Sequence, residues 1–245
     1  MIRFAMIAIF TLPALASGQV LSSTQHIFPW VVDGRVKSGA TYHTEVVLSN
    51  PNSAFANCSL QLAGLSTRFQ ALNGPTPTVS VLNFFIFPFG YEILRTFDNT
   101  ALASGYAVLN CGVPVYATTT FGLYSSDSAV TPSLEAMVPS SLGGAEIEYV
   151  FDARRGTRLG IAIANPYASP AVFTLTVLGT QNGVWALTLP AFGIVTRFLD
   201  ELVPLQPNAT GKVIISEVYS SRLVYSIGLK YSESAFTSVL PNILR

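Results

Sequence analysis

Charge is scarce in this sequence: only 11% of its 245 residues are Asp, Glu, Lys or Arg, and 13 basic side chains are balanced by 13 acidic ones. That balance argues against nucleic acid as a partner, because neutralising phosphates takes a dense Lys/Arg footprint. Imidazole is scarcer, with His26 and His43 alone. Nucleophilic catalysis needs a base beside the nucleophile, and neither a Gly-x-Ser-x-Gly elbow nor a Walker or dinucleotide glycine pattern is present. Amphipathic helical periodicity longer than a turn or two is also missing. Disorder is excluded by what remains: half of the chain is apolar, so a core must form.

The chain begins Met1-Ile2-Arg3, continues with an apolar run from Phe4 to Leu12, and passes through Pro13-Ala14-Leu15-Ala16-Ser17-Gly18. One positive charge, a short hydrophobic stretch and a small-residue exit predict a cleaved secretory signal peptide over 1–18, the stretch being too short for a stable membrane span. The mature chain then starts at Ser17 or Gln19, without a membrane span, and is secreted, periplasmic or on the cell surface. In an oxidising compartment Cys58 and Cys111 read as a disulfide rather than as a reactive thiol or half of a metal site. Two buried free thiols are the alternative.

An internal repeat organises the rest. Val47-Leu48-Ser49-Asn50-Pro51 and the following Cys58-to-Gly64 run match Ala162-Ile163-Ala164-Asn165-Pro166 and Phe173-to-Gly179 at a shift of 115. Pro88, Arg95 and Asp98 match Pro190, Arg197 and Asp200 at 102, and Gly105, Gly122 and Leu123 match Gly211, Gly228 and Leu229 at 106. The expected units span 25–140 and 142–245. The first carries a turn-rich insertion around Asn73-Gly74-Pro75-Thr76-Pro77, and the link Pro139-to-Gly144 reads as short and flexible.

Within each unit, alternation says strand. Cys58, Leu60 and Leu62 alternate with Asn57, Ser59 and Gln61, and Phe173, Leu175 and Val177 with Val172, Thr174 and Thr176, which puts each set on one face of a sheet. The chemistry is also right, since β-branched and aromatic residues dominate these runs. About seven runs per unit predict an all-β protein of two tandem antiparallel sandwiches. Alternation lapses over Phe97–Leu102 and Phe198–Leu202, where short helical turns are expected.

The Asn-Pro strand ends, the lead-ins Pro88-Phe89-Gly90 and Pro190-Ala191-Phe192-Gly193, the Arg a few residues on and the closing Gly-Leu strand together resemble the tandem Ig-like modules of uncharacterised secreted bacterial proteins. The likeness covers nearly the whole mature chain. It implies Ig-like modules in an extracytoplasmic setting and carries over no catalytic residue. The second unit has Phe173 and Glu217 where the first has Cys58 and Cys111, so the bridge is a local addition.

Candidate sites are few. His43 and Glu45, two apart on one strand, could hold a metal with His26, but Arg158 and Gly160 match them in the second unit, so a solvated edge is the reading adopted. Arg95 with Asp98, repeated as Arg197 with Asp200, reads as a structural charge pair over a turn. Asp33-Gly34-Arg35 resembles Asp152-Ala153-Arg154, and Ser126-Asp127-Ser128-Ala129 resembles Ser232-Glu233-Ser234-Ala235 as a turn. In the stretch from Phe84 to Tyr91, the rings Phe85, Phe87, Phe89 and Tyr91 are candidates for ligand contact, with Trp185 as the large ring of the counterpart segment. Asn57 and Asn208 have glycosylation-acceptor spacing.

The function expected is non-catalytic: adhesion, binding or structural support, with no cofactor or metal and an envelope protein or polysaccharide as partner. A glycan hydrolase with carboxylates such as Glu92 and Asp98 in a cleft between the modules is the alternative. An outer-membrane barrel is a third, disfavoured by the Asn-Pro breaks and uneven hairpin spacing.

Overall fold

A computed structural model describes residues 22–37, 39–65, 69–71, 81–97, 101–126, 129, 131–218, 222–232 and 235–244. The expected signal peptide, the insertion at 73–77, Asp98, and residues 127–128 and 233–234 of the paired turns lie outside the described residues.

The first half runs β1 (Ser23–Arg35), β2 (Thr41–Ser49), β3 (Ala56–Ala63), β4 (Phe69–Ala71), β5 (Val81–Ile86), β6 (Tyr91–Thr96), β7 (Ala103–Tyr124) and β8 (Leu134–Pro139). The second runs β9 (Glu146–Asp152), β10 (Arg158–Ala164), β11 (Ala171–Gly179), β12 (Gly183–Leu189), β13 (Ile194–Phe198), α1 (Leu199–Leu202), β14 (Thr210–Glu217), β15 (Tyr225–Ser232), β16 (Ala235–Val239) and β17 (Asn242–Ile243). Among the described residues 68% are strand and 4% helix, so the fold is all-β, and every named strand pair is antiparallel.

Pairing repeats between the halves. One ladder runs β5-β3-β7-β1 in the first and β12-β11-β14-β9 in the second. The other runs β6-β2-β7-β8 and β13-β10-β15-β16. β7 serves both ladders of the first half as one strand of 22 residues, whereas residues 218–224 separate β14 from β15 in the second.

Register shows which sequence matches are structural. Cys58 faces Cys111, and Phe173, at a shift of 115, faces Glu217. Gly64 and Gly105 touch in the same way as Gly179 and Gly211, because a Cβ on Gly105 would stand 2.3 Å from the Ala63 carbonyl and one on Gly211 2.2 Å from that of Leu178. Two matches need correction. Opposite Val46 stands Leu94, and opposite its counterpart Ile161 stands Arg197, so these strands correspond at 103, not 102. Arg95 is therefore matched by Phe198, and Pro190 by Phe87. Likewise Gly122 faces His43 and Tyr231 faces Arg158, which moves the Gly-Leu match from 106 to 109, a change absorbed by the segment between β14 and β15. Identity at single positions misled because a slip of one residue in a strand exchanges its faces.

The Asn-Pro motif has a physical cause that its turn propensity only hinted at. Asn50 is buried, and its side-chain nitrogen donates to the carbonyls of Ala54, Ile86 and Phe87 at 2.8–3.2 Å. Asn165, also buried, donates to Ser169 at 2.9 Å and Pro190 at 2.7 Å. Each amide ties the end of one strand to the β-turn that leads into β6 or β13, and in those turns Phe89 and Phe192 both adopt φ 55°.

Each half has its own core: Phe28, Val46, Leu48, Leu60, Leu94 and Leu109 centre the first, Tyr149, Ile161, Phe173, Leu175, Val213 and Ile215 the second. A third buried cluster joins them, with Val32, Phe121, Ala136 and Val138 packed against Ala162, Ile227, Leu229 and Phe236. The link is accordingly not the flexible tether its Ser/Gly content suggests. Ser141 N–H donates to the Ile27 carbonyl at 2.8 Å, its Oγ accepts from Ser226 N–H, and Gly144 and Val224 exchange backbone hydrogen bonds. Burial beneath both halves leaves those polar groups no water to turn to, so they are satisfied within the chain.

Candidate functional site

Outward alternation on the β5-β3-β7-β1 ladder builds one face. β3 presents Asn57, Ser59 and Gln61, with Phe55 just before it. β5 presents Asn83 and Phe85, with Phe87 just after it. Register then fixes the rows: Phe85 faces Asn57, Asn83 faces Ser59, Ser59 faces Asn110, and Asn110 faces Gln25. Hence a strip of amides crosses four strands and ends at a cluster of rings. The inward partners Cys58, Leu60, Ile86 and Leu109 are buried in the first core.

Phe55, Phe85 and Phe87 remain 51%, 54% and 61% exposed although they contact one another, Phe85 edge-on to the other two and Phe55 tilted against Phe87, with centroids 5.3–6.0 Å apart. Edge contact suits the ring quadrupoles and holds the three as a unit. Phe89 and Tyr91, past the turn, are 74% and 73% exposed. Trp185, by contrast, turns inward: its register partner is Leu175, and it packs against the second core, as Leu82 does opposite Leu60 in the first half. It is therefore not part of an exposed aromatic platform.

An open groove of about 610 Å³ lies over the strip, lined by Asn57, Ser59, Asn83, Phe85 and Asn110 among others. The Gln25 side-chain nitrogen, Nε2, donates to the side-chain amide oxygen of Asn110, Oδ1, at 3.0 Å. None of the outward residues is charged. The Cys58–Cys111 disulfide, Cα–Cα 4.1 Å, staples β3 to β7 beside Asn57 and Asn110. The same register positions of the second half hold Val172, Thr174, Ala186, Thr188 and Ser216, so the fold needs neither rings nor amides there.

The histidines stand elsewhere and apart. His43 is buried rather than on a solvated edge, with Nδ1 2.9 Å from the Asp33 carboxylate. Its burial follows from position, since β2 runs between β6 and β7. His26 is wholly buried, its Nδ1 2.7 Å from Ser140 Oγ and its Nε2 2.9 Å from the Val115 carbonyl. Burial lowers its pKa. Among the described residues no three His, Cys, Asp or Glu side chains gather as a metal site.

The repeated charge pairs also part company. Asp200 binds Arg158 at 2.8 Å rather than Arg197, and Arg158 further bonds Glu201 and lies 3.6 Å above the Phe198 ring. Arg197 is 3.9 Å from Glu201, and Arg95 is 3.8 Å from Glu45 and stacked over Tyr124. Asp152 accepts from Arg154 and is held down at about 2 by those bonds, whereas Asp33 is buried beside His43.

A second cavity, about 220 Å³, lies where Trp30 meets Gly160, Ala162, Thr196, Phe198 and Tyr231. Its one carboxylate, Glu201, is committed to arginines. Comparison of the chain with known protein families, with curated proteins and with solved structures finds no match in any of the three.

Proposed function

We propose that this is an exported, non-catalytic binding protein of two Ig-like modules that holds a cell-envelope partner against the ring-and-amide face of its first half. One observation carries the reading: three phenylalanines stay more than half exposed on that face, while the equivalent positions of the second half carry small or aliphatic groups. Exposed contiguous rings are costly to keep in water and mark interaction surfaces. The disulfide suits an oxidising compartment, in keeping with the leader-like start of the sequence.

Catalysis at the boundary between the halves fits less well. A glycosidase needs two carboxylates across a cleft, whereas the cavity there has the arginine-bound Glu201 alone, and the surrounding boundary is filled by shared core.

The test uses the full chain in its producing cells. Fractionation should place it in the envelope or the medium, and Phe85→Ala with Phe87→Ala should release it from whatever envelope fraction retains it without changing its unfolding midpoint. Retention unaffected by both changes would remove this face from the function.

A further inference from the structure

Resting on that reading of the face, we propose that its ligand is a neutral glycan chain, laid along the amide strip with a sugar ring stacked on the Phe55, Phe85 and Phe87 cluster. The chemistry of the strip is selective. Each primary amide offers a carbonyl acceptor and two N–H donors in one plane, which matches hydroxyl pairs that both give and take hydrogen bonds. The side-chain amides of Asn57 and Asn83 have no hydrogen bond to another described residue and face the groove, so they are available without breaking anything.

Charge decides between ligand classes. A uronate or phosphate polymer would set its anions over a strip without a single cation, and leaving an ion unpaired on desolvation costs far more than desolvating a hydroxyl that finds an amide. An apolar protein surface would cover the rings but leave the side-chain amides of Asn57 and Asn83 buried and unpaired, with nothing to repay their desolvation. A hydroxyl-rich chain with one apolar ring face satisfies both parts. Size agrees as well, since 610 Å³ lies within the range of about 300–1,000 Å³ usual for ligand sites.

Space over the strip is kept open by Gly112, which lies beside the disulfide at the groove. A Cβ there would meet only the Asn57 carbonyl at 3.8 Å, so the fold accepts a side chain at this position.

The experiment is affinity electrophoresis of the purified full chain in gels holding a neutral β-glucan, a mannan or a xylan, with polygalacturonate as the charged comparison. At least one neutral polymer should retard the protein, equally at 0.05 M and 0.5 M NaCl. Phe85→Ala, Asn83→Ala and Gly112→Phe should each weaken that retardation at least tenfold, whereas Thr188→Ala on the second half should leave it unchanged. Circular dichroism melts check that every variant folds. No retardation by any neutral polymer, or retardation by polygalacturonate alone, overturns the proposal. If envelope retention is nevertheless lost with Phe85→Ala, the face binds another partner and only the glycan assignment fails. If sedimentation shows a dimer that Phe85→Ala dissociates, the face pairs with a second copy and the glycan assignment again fails.

Discussion

Cys58 and Cys111 are direct partners across the β3–β7 ladder, 4.1 Å apart at Cα and 53 residues apart in sequence. A bridge closing so long a loop restricts the unfolded chain, by an amount worth on the order of 4 kcal/mol in the chain-entropy description. Reduction of the folded protein should therefore lower its urea midpoint by an amount equivalent to several kcal/mol. A midpoint indifferent to reductant would show that the β3–β7 pairing alone constrains this segment.

The buried amides make a second, sharper case. Asn50→Ala removes the donors that hold the carbonyls of Ala54, Ile86 and Phe87, and leaves those acceptors with no partner in the side chain. We expect a loss of roughly 2–4 kcal/mol, and a similar loss for Asn165→Ala. Denaturant titration of both variants checks it. Losses below about 0.5 kcal/mol, within the range of an ordinary surface substitution, would mean that the turns before β6 and β13 close without the clamp.

Much of this all-β architecture was legible from the chain alone. The alternation around Cys58 and Phe173, the Asn50/Asn165 anchor and the Gly105/Gly211 pair all mark places where two strands or a strand and a turn must meet at close range. What misled was identity without register: Arg95 and Arg197 share a residue type but not a position, because β6 and β13 correspond one residue further along. The candidate face was half legible. Phe85 and Phe87 could be singled out as rings, but the amides of Asn83 and Asn110 join them only through pairing across β3, which sequence spacing does not encode. Trp185 was singled out for its size, and only its register against Leu175 shows that it points to the core.

Acid should destabilise the protein through His26. Its burial holds the folded-state pKa below the ordinary value of 6.5, so as pH falls the unfolded chain takes up a proton before the folded one does. Stability must then be constant above about pH 6.5 as far as this group is concerned, and decline as pH drops below that value toward the folded pKa. Protonation would also set a second N–H against Ser140 Oγ, which can rotate to accept it only by giving up its own donation to the ring. His26→Gln should be less stable at neutral pH, and should lose this part of the slope between about pH 6.5 and 5. Urea midpoints of both proteins across that range measure it, and parallel curves would assign the acid sensitivity to other groups.

Coupling between the halves offers the last test. Ile227, 5% exposed, belongs to the cluster in which Val32, Phe121 and Val138 of the first half meet Ala162, Leu229 and Phe236 of the second. Ile227→Asp would place a carboxylate in that apolar contact, at a cost of several kcal/mol. Because the substitution strikes the shared cluster and spares the interior cores centred on Leu48 and Leu175, its expected signature is a separation of unfolding into two transitions, the second-half transition moving to lower denaturant. Val184→Asp, at a position 65% exposed on β12, carries the same charge change and should leave a single transition in place. If Ile227→Asp lowers one undivided transition, the two halves fold as a unit whose cooperativity does not depend on this contact, and the hydrogen-bonded link around Ser141 becomes the element that joins them.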